Sequence, residues 1–148
     1  MEQITNVNIV KIYQVRQTCA KYDASLTRPE DIVTLVKKVF ANLDREITVV
    51  VGLNTSNVPN VINVVSTGTV DSAVIVPRDV FKALILSNSR AFILFHNHPA
   101  GTLNPSECDK EITRKLIDLG KMMQIELLDH IIIGYGDDFC SFRQRNLL

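Results

Sequence analysis

Two hydrophobic periods alternate along the chain, one with apolar residues every second position and one with apolar residues every third or fourth, and they predict strands and helices in turn. Val7 to Val15 alternates apolar and polar positions, as a half-buried strand does. Pro29 stands where a first helical turn tolerates it, and Ile32, Val36, Val39, Phe40 and Leu43 follow at helical spacing. Ile47 to Leu53 and Val58 to Val65 are β-branched runs joined by Asn54, Thr55, Ser56 and Asn57, which predicts a hairpin. After a break at Gly68 to Asp71, Pro77 opens a second helix with Val80, Phe81, Leu84 and Ile85 as its apolar stripe. Phe92 to Phe95 reads as a short buried strand. A third helix runs from Asn104 to about Gln124, with Ile112, Leu116, Leu119 and Met123 on one side and Lys110, Arg114 and Lys121 on another. Leu127 to Ile133 and, past Gly134-Tyr135-Gly136, Phe139 to Phe142 supply the last strands. The order β-α-β-β-α-β-α-β-β, with no repeat or linker, predicts an α/β fold: one domain over residues 1–148, a mixed sheet with helices packed against it.

Composition narrows the function classes. A chain of 148 residues can bury a real core without disulfides or a structural metal. Sixteen Lys and Arg cancel sixteen Asp and Glu, so no overall field draws the protein to nucleic acid or an anionic membrane, which leaves a local basic face as the only electrostatic route to either. No apolar run is long enough to span a bilayer. Cys19, Cys108 and Cys140 are odd in number and scattered, without a C-x-x-C pair, and read as reduced thiols. Met1 to Val10 has neither a basic n-region nor a long apolar stretch, so the expected location is the cytoplasm.

The chemistry concentrates in His96-Asn97-His98-Pro99-Ala100-Gly101-Thr102-Leu103-Asn104-Pro105-Ser106-Glu107-Cys108-Asp109. Residues two apart on an extended chain point the same way, so His96 and His98, leaving the end of a strand, can aim two imidazoles at one point. Pro99 and Gly101 then turn the chain, and a helix starting at Ser106 to Asp109 can return a carboxylate there. Two His and one Asp leave a zinc ion's fourth position to water, whose pKa falls from about 15.7 to about 7. Each fragment has a plainer reading. Ser106-x-x-Asp109 is also a capping box, and a His-x-His pair is also a hydrogen-bonded loop pair. It is their conjunction, with two of three histidines beside a turn and an acidic helix start, that favours Zn²⁺ on His96, His98 and Asp109. Ser106 can be both cap and catalytic donor.

His96-x-His98-Pro99 followed by Ser106-x-x-Asp109 resembles the signature of JAMM (MPN-type) metalloproteases. Arg45-Glu46, Pro77-Arg78-x-Val80-Phe81, Pro105-Ser106 and Leu128-Asp129-His130-Ile131-Ile132-Ile133-Gly134 extend the resemblance to the bacterial RadC-like branch over nearly the whole chain. The resemblance implies an α/β/α sandwich like that of cytidine deaminases, zinc on His96, His98 and Asp109, and hydrolysis of a peptide, isopeptide or related amide bond. It also implies that Glu46 is the general base and that Ser106 steadies the oxyanion or the water. Glu107, Glu111 and Asp71 are the fallback bases. His130 matches the branch as well, but in its strand-like run it reads as a buried, hydrogen-bonded residue and not as a ligand. Cys108 reads as a buried or half-buried helix residue with no nucleophilic role. Ala100 replaces the serine more usual in this branch, and the helix-hairpin-helix region that usually precedes this part in full-length relatives is not in the sequence, which begins almost directly with the resembling part.

The competing class is a DNA-repair-associated accessory module that binds DNA or a repair protein, with Lys110, Arg114 and Lys121 as its basic stripe; the plainer reading of that stripe is a solvated face. Other chemistries fail on residues. His96-Asn97-His98 is not the dispersed ββα unit of an HNH nuclease, and a zinc deaminase needs H-x-E and P-C-x-x-C, which the chain lacks.

Overall fold

A computed structural model describes residues 22, 24–40, 45–68 and 75–148. The strand expected at Val7 to Val15, together with Cys19, Leu43 and Asp71, lies outside the described residues. The described elements are α1 (Pro29–Val39), β1 (Ile47–Leu53), β2 (Pro59–Thr67), α2 (Pro77–Leu86), β3 (Ala91–Asn97), α3 (Glu107–Met123), β4 (Glu126–Ile133) and β5 (Phe139–Ser141). They form one sheet in the order β2-β1-β3-β4-β5, in which β3 and β4 are parallel and the other neighbours antiparallel.

β1 and β3 are buried along their whole length because the sheet is covered on both sides. Alternate residues of each strand feed different cores. Val49, Val51, Phe95, Ile131 and Ile133 pack with Ile32, Val33, Leu35 and Val36 of α1. Val50, Phe92, Leu94 and Leu127 pack on the opposite face with Val80, Phe81 and Leu84 of α2 and Leu116 of α3. The result is the expected α/β/α sandwich, and each fully buried aliphatic or aromatic side chain stabilises it by about 1.5–3 kcal/mol.

Several expected details shift. β3 runs on to Asn97, so His96 lies inside the strand, and α3 starts at Glu107 rather than Asn104. α1 stops at Val39, with Phe40 as its C-cap. Val39, Ile85 and Met123, each assigned to an apolar stripe by spacing, are exposed, because each helix meets the sheet along a narrower face than its hydrophobic residues cover. On α3 the inner positions are Asp109, Thr113, Leu116 and Gly120. Gly120 is needed there: a Cβ would come 2.5 Å from the Ile125 carbonyl, where the chain turns straight from α3 into β4. Among the described residues no helix is long and apolar enough to cross a membrane.

The C-terminal turn hangs on one buried carboxylate. Asp129 accepts from the backbone N–H of His130 at 2.7 Å and of Arg143 at 3.0 Å, and from the Ser141 hydroxyl at 2.6 Å. Burial raises its pKa despite these three donors. Asp129→Ala strands all three, and denaturant unfolding should show a loss of about 2–4 kcal/mol. Asp129→Asn keeps an acceptor and should unfold at a similar midpoint. A raised folded pKa means that the native state holds its proton longer than the unfolded chain. Wild-type stability should therefore fall as pH rises from about 3.8 through the folded value, relative to the Asn variant, which has no such proton. A pH-independent difference between the two would refute this.

Candidate metal centre

The carboxyl-terminal end of β3 is where three separate segments meet. His96 shares a sheet face with Leu94 and Phe92, the face covered by α3, and is 1% exposed. His98 follows one residue beyond the strand, held by its N–H to the Ile133 carbonyl at 2.9 Å, and is half-buried. The loop then turns at Gly101, whose φ of 77° and close approach to the Tyr135 ring leave no space for a Cβ. It returns at Ser106 to begin α3.

His96 Nε2 lies 2.9 Å from His98 Nε2. Asp109 Oδ1 is 3.4 Å from the first and Asp109 Oδ2 3.8 Å from the second. Ligand atoms set tetrahedrally around zinc at about 2.0–2.1 Å are roughly 3.3 Å apart, so the three donors are spaced for one small cation. Their chemistry agrees. His98 Nδ1 faces the Thr102 carbonyl at 2.8 Å, and a carbonyl only accepts, so Nδ1 carries a proton and Nε2 is the nitrogen free to act as a ligand in the neutral ring. Burial, partly opposed by the charge of Asp109 and reinforced by His98, pushes the His96 pKa down to about 4, so this ring is neutral near pH 7. Two imidazole nitrogens and a carboxylate oxygen, all within 4.8 Å of one another, are a donor set that a divalent metal fits. Thr48 Oγ1, opposite His96 on β1, is buried and has no hydrogen-bond partner among the described residues.

Ser106 and Asp109 form the capping box that their spacing allowed. The Ser106 hydroxyl accepts from the Asp109 N–H at 3.1 Å and donates to Asp109 Oδ2 at 2.7 Å, and the Ser106 N–H donates to the same oxygen at 2.7 Å. Cap and site are one structure, because both donors hold Oδ2 while Oδ1 faces His96.

Glu46 immediately precedes β1. Thr48 pairs with His96, so extending that register by two residues sets Glu46 opposite His98, on the same face as the histidines. Its backbone is held on both flanks by Asn97, which accepts from the Ile47 N–H at 2.8 Å and donates to the Arg45 carbonyl at 3.0 Å. Asn97 has no role in the sequence pattern; its burial inside β3 is the feature that marks it. Of the fallback bases, Glu107 and Glu111 are exposed and paired with Lys110 at 2.6 Å and Lys115 at 2.8 Å. Their hydrogen bonds to these lysines lower their proton affinity, the wrong direction for a general base.

His130 is fully buried and hydrogen-bonded, as expected: its Nε2 meets His96 Nδ1 at 2.8 Å and its Nδ1 meets Thr113 Oγ1 at 2.7 Å. Cys108 is exposed, contrary to the sequence reading, because Asp109 and not its neighbour takes the inward position on α3. The basic stripe is largely neutralised within its own helix, Lys110 by Glu107 and Lys121 by Asp118 at 3.9 Å.

A model of the RadC-like JAB domain matches residues 26–147. The chain belongs to that family. Among its relatives, a UPF0758 protein of Desulfitobacterium hafniense is 42% identical over 123 residues, 83% of this chain and 54% of the relative. One from Moorella thermoacetica is 43% identical over 83% of this chain and 53% of its own length. A third, from Desulforamulus reducens, is 35% identical across the whole of this chain and 69% of its own length. The chain thus spans about half the length of the first two. The matched region contains His96, His98, Ser106 and Asp109.

Ser106→Ala removes the cap and one restraint on Asp109. The metal-free protein should lose about 1 kcal/mol in denaturant unfolding, with Ser106→Thr close to wild type. Given the paired lysines, no duplex DNA binding is expected at physiological salt by fluorescence anisotropy. Affinity of about 10⁻⁸ M that Lys110→Ala, Arg114→Ala and Lys121→Ala together abolish would establish the stripe as a DNA surface.

Proposed function

We propose that the chain is a zinc-dependent hydrolase of amide-type bonds, peptide or isopeptide, acting through a metal-activated water. The observation that supports this most is the convergence of His96 Nε2, His98 Nε2 and an Asp109 oxygen at the end of β3, three donors among the described residues, which would leave a tetrahedral ion one position for water. Zinc held there would supply Lewis acidity toward the scissile carbonyl and bring the pKa of a water to about 7.

The chain's own residues divide the remaining work. His96 and His98 would hold the metal through their Nε2 atoms, and Asp109 would offset part of its charge. Ser106 orients the Asp109 carboxylate, and in this reading its hydroxyl would turn its one proton from Asp109 Oδ2 toward the site to steady the water or the developing oxyanion. Glu46, on the face of the histidines, takes the proton of the attacking water and passes it to the departing amine nitrogen, so that the C–N bond breaks without expelling an amide anion. The substrate is a peptide or isopeptide whose acyl and amine sides are open. Cytoplasmic location is part of the same proposal.

Metal analysis of the purified full chain tests the centre: one zinc per chain is expected, lost in His96→Ala and His98→Ala while circular dichroism shows the sandwich retained. Undiminished stoichiometry in either variant would mean that the ligands lie elsewhere. Glu46→Gln separates base from ligand. It should bind zinc as wild type does but lose about 10²–10⁴-fold in hydrolysis of any peptide or isopeptide that wild type cleaves. A fully active Glu46→Gln variant would remove Glu46 from the mechanism.

A further inference from the structure

The proton positions behind His96 can be worked out from the hydrogen bonds alone, starting at the end of the chain where only one direction is allowed. Thr113 Oγ1 is 2.6 Å from the Asp109 carbonyl oxygen, which has no proton to give, so the hydroxyl donates there. A hydroxyl has one proton. Its contact with His130 Nδ1 at 2.7 Å must therefore be an acceptance, and the His130 proton sits on Nδ1. His130 is fully buried between α3 and Phe142, whose ring stacks on it with centroids 4.4 Å apart and planes 24° apart, an environment that keeps the imidazole neutral. A neutral ring protonated on Nδ1 has a bare Nε2. The 2.8 Å contact from that atom to His96 Nδ1 is then a bond in which His96 donates.

We propose that Thr113 and His130 are positioning residues that fix His96 as its Nδ1–H tautomer, so that its Nε2 lone pair always faces the space between His98 and Asp109. The purpose of this lock rests on the metal-binding reading above; the proton assignment itself does not. The same outcome reaches His98 independently through the Thr102 carbonyl. With both rings neutral, the two Nε2 lone pairs face each other at 2.9 Å, a repulsive arrangement that a cation between them relieves. The chain of bonds also closes a circuit. It begins on the backbone of one metal-facing residue, Asp109, and ends on the ring of another, His96, tying the first turns of α3 to β3 through β4.

Thr113→Val keeps the shape of the side chain and removes the hydroxyl. Without that acceptor, His130 has no reason to hold its proton on Nδ1. It can move the proton to Nε2 and donate to His96, which then carries its own proton on Nε2, in the metal's place. The test uses full-length chain with ¹⁵N-labelled histidine and zinc alone as the ligand. Two-bond ¹⁵N–¹H spectra of the metal-free protein report which ring nitrogen bears the proton, and competition with a chromogenic chelator reports zinc affinity. Metal-free wild type should show His96 and His130 both protonated on Nδ1. Thr113→Val should show His96 protonated on Nε2 in a substantial fraction of molecules and bind zinc about 10–100-fold more weakly. Thr113→Ser, which restores the hydroxyl, should match wild type in both readouts, which a packing role for the threonine methyl does not predict.

A wild-type spectrum with the His96 proton on Nε2 would overturn the assignment without any variant. Wild-type tautomers and affinity in Thr113→Val would overturn the role of the hydroxyl. If wild type showed the assigned tautomers but bound no zinc, the hydrolase reading would fall and the proton assignment would stand.

Discussion

Adjacent parallel strands cannot be joined by a tight turn, and that constraint on β3 and β4 organises the whole site. The chain leaving β3 must travel back to the other end of the sheet before β4 can begin, and it does so as α3. A helix used in this way starts beside the end of the first strand. The residues that close β3, His96 to His98, therefore face the residues that open α3, Ser106 to Asp109, with one Gly-containing loop between them. β1 runs antiparallel to β3, so its beginning lies at the same edge and brings Glu46 there from fifty residues away. Three segments meet because of strand direction, before any side-chain chemistry is considered.

The parts of this arrangement that follow from spacing were legible in the sequence. His96 and His98 share a face because they are two apart on an extended chain, and Asp109 returns because Ser106 starts a helix; neither inference needs the rest of the fold. Hydrophobic period likewise located the described strands and helices to within a few residues. What spacing could not supply is which face of a helix the sheet will cover. Ile85 and Met123 cost little when left in water, so their hydrophobicity carries weak information, whereas Thr113 and Gly120 are buried for reasons that exist only once α3 lies on the sheet. Thr113 matters through a bond to a histidine seventeen residues further on, and Asn97 through bonds to residues about fifty earlier. Such long-range partners leave no local pattern. Cys108 shows the same limit on a small scale, since one position along a helix turns a side chain by about 100° and separates the buried Asp109 from an exposed thiol.

The inner face of α3 departs from what a core helix would choose for stability. Asp109 and Thr113 occupy positions where aliphatic residues would bury area at no polar cost, and His130 adds a buried ionisable group beneath the same helix. The buried polar atoms of these residues are matched to specific donors or acceptors, with the hydroxyls of Ser106 and Thr113 as the connecting pieces. On the other face the aliphatic packing around α1 is bordered by buried polar groups of its own, Asn97 and the Asp129–Ser141 pair, each held by separate hydrogen bonds.

Asn97 gives the edge of the sheet a kind of parity rule. Side chains alternate between the two faces, so sliding β1 by a single residue against β3 would carry residue 46 to the side of α1, away from His96. The amide of Asn97 grips both Arg45 and Ile47, one residue on each side of Glu46, and a slipped strand would offer it the wrong groups in both places. Over evolutionary time this separates two kinds of length change. The hairpin turn at Asn54 to Asn57 can gain or lose residues without altering what faces the histidines. The seven positions from Glu46 to Gly52 cannot, because an odd insertion or deletion there would exchange the inside and outside of the site while leaving every residue of the motif in place.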